Sequence, residues 1–207
     1  MTAIIDYGVG NLFSLVSSFH KIGEETYVTA DKEVLRKADR IILPGVGAFH
    51  DAMNKFTASG LADTLKEEIK KGKPVMGICL GMQLLFDKSY EYGEYNGLGL
   101  LHGVIKPIAD EVDNLKIPHM GWNPLKFTKA HPLFKYIKEG DCVYFVHSFY
   151  AADCEDSLIA SAEYGIDITA AVAKDNLLGC QFHPEKSGEV GLNILRSFCE
   201  MKEGKIC

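Results

Sequence analysis

A chain of 207 residues, 47% hydrophobic and 24% charged, has the balance of a globular protein in water and enough length for a sizeable core. Its formal net charge of −6 and its scattered lysines argue against nucleic acid as the main partner. No apolar run approaches the ~20 residues that span a bilayer, and Met1-Thr2-Ala3-Ile4-Ile5-Asp6 is no signal peptide, so the expectation is a cytoplasmic chain without a membrane partner.

In chain order, residues 2–6 read as an apolar strand, and Leu12, Leu15, Val16, Phe19 and Ile22 then recur at helical spacing. Residues 25–29 and 40–43 predict two further strands, the second stopped by Pro44. Leu61, Leu65 and Ile69 mark an amphipathic helix ahead of the apolar run 74–78. Apolar strands separated by helices predict a parallel sheet covered on both faces. Past residue 97 the pattern changes to strands at 98–106, 115–119, 123–127 and 142–150, continued at 158–162, 169–173 and 177–182. A last helix is expected over 188–201, with Ser187 available as its cap. Residues 86–97, rich in Tyr and Glu, carry no assignable role. There is no repeat, low-complexity tract or linker. The expectation is therefore one domain, residues 1–207: a three-layer α/β fold with a mainly parallel central sheet, helices on both faces and an antiparallel β extension.

The chemistry concentrates in two segments. Gly77-Ile78-Cys79-Leu80-Gly81 has the Gly-x-nucleophile-x-Gly spacing of a nucleophile elbow, with sulfur as nucleophile. Such a turn, leading into an apolar helix, sets the thiol at a helix N-terminus, where the Leu80 N–H can face a developing oxyanion. The competing explanation is a core cysteine beside turn glycines. Of the other cysteines (142, 154, 180, 199 and 207), none stands at CxxC spacing, so they read as buried or surface thiols, and no metal site or cofactor is expected. The second segment ends in His183-Pro184-Glu185. On an extended chain, positions i and i+2 point the same way, so Glu185 can orient His183, which in turn can take and return the thiol proton. A histidine that merely caps a loop is the plainer alternative for this segment alone. Between the two, Pro44-Gly45-Val46-Gly47-Ala48-Phe49 makes a Gly-rich turn that can carry a second oxyanion donor, the Val46 N–H. A phosphate loop is the rival, but neither GxxxxGK[ST] nor GxGxxG is present.

Pro44-Gly45-Val46-Gly47, the Cys79 elbow and His183-Pro184-Glu185, in that order, resemble the class I (triad) glutamine amidotransferases over nearly the whole chain. Asp6 to Asn11, His119-Met120-Gly121-Trp122-Asn123 and Tyr144-Phe145-Val146-His147-Ser148 are similar to the glutaminase-subunit family of imidazole glycerol phosphate synthase. The resemblance implies a histidine-biosynthesis heterodimer. Glutamine is hydrolysed here, and ammonia passes to a separate (β/α)8-barrel synthase subunit that forms imidazole glycerol phosphate and an aminoimidazole carboxamide ribonucleotide. It implies Cys79 as nucleophile, His183 as base and acid, Glu185 as orienting group, and Val46 and Leu80 as oxyanion donors. It also implies Gly47, Gln83, His147 and Ser148 as glutamine contacts, and Asn11, Met120, Trp122, Asn123, Tyr144 and Lys186 as the synthase-facing set. Alternatives left open are a γ-glutamyl hydrolase or peptidase, a non-catalytic binding subunit of the same fold, and an amidotransferase subunit of another pathway. Trp122, the one tryptophan, would instead be buried if it served only packing.

Overall fold

The computed structural model describes residues 1–202; Cys207 and the last five residues of the expected domain lie outside them. Strand β1 (Thr2–Ile5) shows why a continuous apolar run was the correct signal for a covered strand. Ala3 and Ile5 join one buried cluster with Leu35, Phe56 and Leu65, while Ile4 joins a second cluster on the opposite face with Leu15, Phe19, Leu195 and Phe198. Alternate side chains thus meet different helix layers.

The first half continues as α1 (Leu12–Lys21), β2 (Thr26–Thr29), α2 (Lys32–Lys37), β3 (Arg40–Leu43), α3 (Phe49–Ala58), α4 (Leu61–Lys70), β4 (Val75–Ile78) and α5 (Leu80–Gln83). Helices α2 and α3 were not anticipated. α2 buries only Leu35 and leans on an Asp31 cap whose Oδ1 accepts from the Glu33 N–H at 2.8 Å. α3 buries Phe49, Ala52 and Phe56, a stripe at helical spacing diluted by polar residues.

Then follow β5 (Phe86–Ser89), β6 (Tyr95–Asn96), β7 (Leu101–Pro107), β8 (His119–Pro124), β9 (Lys126–Phe127), β10 (Cys142–His147), β11 (Phe149–Ala152), β12 (Leu158–Tyr164), β13 (Ile166–Lys174), β14 (Leu177–Cys180) and α6 (Gly188–Cys199). The central sheet runs β2-β1-β3-β4-β14-β13-β12-β9, parallel from β2 to β14 and antiparallel beyond.

The extension is more divided than the sequence suggested. Strands β11-β7-β5-β6 form a separate sheet in which β5 and β7 are parallel, and β8 pairs with β10 alone. Residues 115–118 form no strand; pairing starts at His119, past Pro118, which has no N–H for a ladder. The run 142–150 breaks at Ser148, because β10 pairs with β8 while β11 pairs with β7 in the other sheet. Strand 177–182 stops at Cys180.

Candidate active site

Strands β4 and β14 are parallel neighbours in register, Gly77 opposite Gly179 and Ile78 opposite Cys180, so both chains leave the sheet at one edge. The Cys79 N–H still bonds the Cys180 carbonyl at 2.8 Å, and then the backbone turns. Cys79 adopts φ 54°, ψ −114°, the torsions of the first central residue of a type II′ turn, a place that favours glycine. A side chain held there carries strain that the surroundings enforce. Those surroundings explain the flanking glycines. A Cβ on Gly77 would stand 2.7 Å from the Gly81 carbonyl oxygen and the Met82 backbone, and one on Gly81 would run into the Leu43 carbonyl. The helix behind the elbow is a single turn, α5, not the longer apolar helix expected; Phe86 already belongs to β5. The field at the thiol therefore comes from the unpaired N–H groups of one turn rather than from a long macrodipole.

His183 is held from three sides. Its N–H donates to the Tyr144 carbonyl at 2.9 Å, and its own carbonyl accepts from Ser187 Oγ at 2.6 Å. Ser187 Oγ also accepts from the Tyr144 N–H at 3.0 Å. Ser187 does stand at the head of α6, but its side chain makes no cap bond and ties β10 to the histidine instead. Residues 184–186 are a 3-10 turn, not the extended chain assumed for an i, i+2 pair. Pro184 suits the first position of such a turn, and the turn folds Glu185 back beneath the ring. Glu185 Oε1 lies 2.8 Å from His183 Nδ1, with the two side chains 2% and 5% exposed. The other carboxylate oxygen, Oε2, has no hydrogen-bond partner.

Burial alone would strip His183 of its proton. Hydrogen bonds to the Cys79 side chain and to Glu185 more than offset it and hold the ring's pKa at about 9. Because this lies above the ordinary 6.5, the bound proton stabilises the fold fully below pH 6.5, and that contribution is lost as pH rises through about 9. An NMR titration of the histidines should find His183 with a midpoint near 9, and the midpoint should fall in Cys79→Ala, which removes one of the two supporting bonds. An unmoved midpoint in that variant would rule out the sulfur as a partner of the ring.

A cleft of about 370 Å³ opens over the sulfur, within the range of small-molecule sites. Cys79 and His183 line it, as do Val46, Gly47, Leu80, Gln83, His147 and Ser148. Gln83 is buried rather than a surface residue of a helix. Its Nε2 donates to the Phe149 carbonyl at 3.1 Å and to Gln181 Oε1 at 2.9 Å. Five lining residues were missed: Pro118, Val146 and Phe149, and, from the segment that had no assigned role, Glu91 and Tyr92. Glu91 Oε2 accepts from the Phe49 N–H at 2.5 Å, and burial raises its pKa, the more so beside Asp51. Tyr92 stands 86% exposed at the rim. Nothing local distinguishes these two from ordinary surface residues; only the β5–β6 hairpin carries them to the cleft. Tyr7 was also missed as a support: its hydroxyl donates to the Pro44 carbonyl at 2.8 Å and steadies the Gly-rich turn. Among the described residues no cluster of His, Cys, Asp and Glu is arranged for a metal ion. Burial raises the pKa of the Cys154, Cys180 and Cys199 thiols, which disfavours their reactive form.

Beside the cleft lies an exposed patch. Met120 is 60% and Trp122 55% exposed, so the tryptophan is not packed beneath the extension. Trp122 meets Tyr144 edge to face at 5.9 Å, and Lys186 Nζ sits 5.8 Å over the Tyr144 ring. Asn123 is half-buried on the same strand as Trp122. Asn11 is half-buried at the head of α1, next to Gly10, whose Cβ position meets Pro44; α1 also packs on the 3-10 turn that carries Lys186.

An elbow cysteine, a buried histidine–carboxylate pair and a glycine turn at the carboxyl edge of a parallel sheet define a class of enzyme, and the comparisons name it. The family model for class-I glutamine amidotransferases matches residues 3–201, and the chain belongs to that family. Within it, the chain is 52% identical to the imidazole glycerol phosphate synthase subunit HisH of Lactococcus lactis subsp. lactis (strain IL1403), covering 95% of this chain and 96% of that one. It is 50% identical to the same-named subunit of Oceanobacillus iheyensis, over 97% and 99% of the two chains. Solved structures agree in fold. A crystal structure of a glutamine amidotransferase superposes with TM-score 0.75 at 18% identity (96% and 97% covered), and PurLQS from Thermotoga maritima with 0.73 at 20% (96% of each).

Proposed function

We propose that this chain, read as one glutaminase domain, is the glutamine-hydrolysing subunit of an imidazole glycerol phosphate synthase. The observation that carries the chemistry is the strained Cys79 in a cleft that His183 also lines, with Glu185 anchoring the ring from behind. Since Nδ1 faces Glu185, His183 meets the sulfur through Nε2. With its proton already on Nε2, where the raised pKa of His183 keeps it at neutral pH, Cys79 attacks the side-chain amide carbon of glutamine as the thiolate. The N–H groups of Leu80 and Val46 face the oxyanion, at about 3 kcal/mol of transition-state stabilisation for each such donor. Collapse breaks the C–N bond, His183 returns the proton to the leaving nitrogen, and ammonia departs from a thioester. Water, deprotonated by His183, then frees glutamate and restores the thiol.

Gly47, Gln83, His147 and Ser148 contact the substrate in this reading, and Glu91 is the carboxylate available for its α-ammonium group. Glu91→Gln should raise KM for glutamine about 10-fold or more with less effect on kcat, the scale of a lost charged hydrogen bond. An unchanged KM would remove Glu91 from the substrate site.

Ammonia is mostly protonated in neutral bulk water and useless there as a nucleophile, so a partner must receive it directly. The patch of Met120, Trp122, Asn123, Tyr144 and Lys186, with Asn11 nearby, suits a docked (β/α)8-barrel synthase subunit in the cytoplasm. Exposed aromatics beside a cationic side chain are the composition of interface anchors. No helix among the described residues is long and apolar enough to cross a membrane. Glutamine-dependent ammonia release should be slow in the isolated chain and rise when the synthase subunit and its nucleotide acceptor are added. Faster cleavage of γ-glutamyl peptides than of glutamine, or full turnover without any partner, would overturn the assignment.

A further inference from the structure

A chain of hydrogen bonds runs from β8 to the sulfur of Cys79, and most of its links have no part in the chemistry above. At the outer end, Asn123 Nδ2 donates to the Glu163 carbonyl at 3.0 Å, and Asn123 Oδ1 lies 2.8 Å from His119 Nε2. His119 Nδ1 lies 3.0 Å from His147 Nε2, and His147 Nδ1 donates to the Phe149 carbonyl at 2.8 Å. That carbonyl also accepts from Gln83, which bonds Gln181, and Gln181 Nε2 lies 3.6 Å from Cys79 Sγ. His119 itself is fully buried. Its ring is stacked between Phe145 and Tyr164, with centroids 4.8 and 4.1 Å away. The stack sets the plane of the ring, and the hydrogen bonds set its rotation.

The two rings make three contacts, each of which needs one proton, and burial decides which contact goes without. A carbonyl only accepts, so His147 carries its proton on Nδ1. Burial, with His119 and His183 close by, pushes the His147 pKa down to about 3 despite the bond to Phe149, and burial pushes His119 down as well, so both rings are neutral near pH 7. His147 Nε2 is then a lone pair in a dry site, and His119 must answer it with the proton on Nδ1. Two neutral rings carry only two protons, so none lies between His119 Nε2 and Asn123 Oδ1, two acceptors. This outer contact is the one that yields, because the half-exposed amide can turn its Nδ2 to the ring, giving up the Glu163 carbonyl, or take up water.

We propose that His119 is a positioning residue for glutamine hydrolysis: its bond to His147 locks that ring and the Phe149 carbonyl, and so holds the Gln83–Gln181 pair against the sulfur of Cys79. This rests on the glutaminase function inferred above. Without the donor, His147 Nε2 is a buried acceptor with no partner, the ring turns to find one, and the Phe149 peptide loses its fixed orientation. Gln83 and Gln181 then no longer frame the nucleophile.

The test compares two variants, each assayed in the complex with the synthase subunit. His119→Phe keeps a ring in the stack and removes both hydrogen bonds; His119→Asn puts an amide N–H near the place of Nδ1. His119→Phe should lower kcat about 10- to 100-fold, the scale of a buried polar group left unpaired, and His119→Asn should recover most of the loss. Nitrogen-15 NMR should show His147 as the Nδ1–H tautomer in the unaltered protein and in His119→Asn, and as a mixture in His119→Phe. An unaltered kcat in His119→Phe, or an equal loss in both variants, would overturn the proposal. So would an Nε2–H tautomer for His147 in the unaltered protein, a measurement that needs no variant to fold. Failure of the glutaminase reading looks different: the unaltered complex itself would release no ammonia from glutamine.

Discussion

Cys79→Ala should lower glutamine turnover to the assay floor, on the order of a 10⁶-fold loss, while the fold and the binding of the synthase subunit persist. The size follows from covalent catalysis: no other thiol in the described structure lines the cleft, and Cys154, Cys180 and Cys199 are held protonated by burial. The fold should persist because alanine suffers the same φ of 54° as cysteine and leaves the packing of Gly77 and Gly81 untouched. Cys79→Gly separates strain from chemistry. It is equally inactive, but relief of the left-handed torsion should stabilise the chain by about 1 kcal/mol, read as a higher Tm. Measurable glutamine hydrolysis by purified Cys79→Ala with its partner would refute the nucleophile assignment, and a Cys79→Gly variant less stable than Cys79→Ala would refute the strain.

Glu185→Gln should cut turnover by up to about 10⁴-fold, the loss seen when the orienting carboxylate of a related triad becomes an amide. His183 Nδ1 sits 2.8 Å from Oε1 in a nearly dry site, so the carboxylate both selects the Nδ1–H tautomer and stabilises the imidazolium formed when the thiol ionises. An amide can present its N–H to the ring and enforce the wrong tautomer. It also removes one of the two bonds that hold the His183 pKa at about 9, so the histidine should titrate lower in this variant. The fold should persist but with lower stability near neutral pH, because the variant gives up part of the contribution of the His183 proton. Collapse of the circular dichroism spectrum would instead make Glu185 a structural carboxylate, and near-normal kcat would exclude it from orienting the ring.

Some of this was legible in the residue order alone because its causes are local. A side chain at 77 collides with the backbone of Gly81 and Met82, so that half of the Gly-x-Cys-x-Gly spacing has a local cause, whereas Gly81 makes room for Leu43 at the end of the neighbouring strand. Apolar runs at 2–6, 40–43 and 74–78 announce covered strands because burial on two faces demands apolar side chains at every position. His183 and Glu185 were visible as a pair, but the reason offered for their contact was wrong. A 3-10 turn, not an extended chain, brings the carboxylate under the ring, and backbone torsions after a proline are set by what the turn packs against.

What the sequence determined by itself, then, was the order of chemistry-bearing segments, the α/β class and the covered strands, since sterics and hydrophobic period act over a few residues. Only the tertiary structure decided that Cys79 and His183 leave adjacent parallel strands at one edge and that Trp122 faces solvent. It alone sent residues 142–147 and 149–152 to different sheets and laid Glu91 over the cleft. Those outcomes depend on which strands pair across long stretches of chain, and strand pairing is settled by the whole core at once rather than by any one segment.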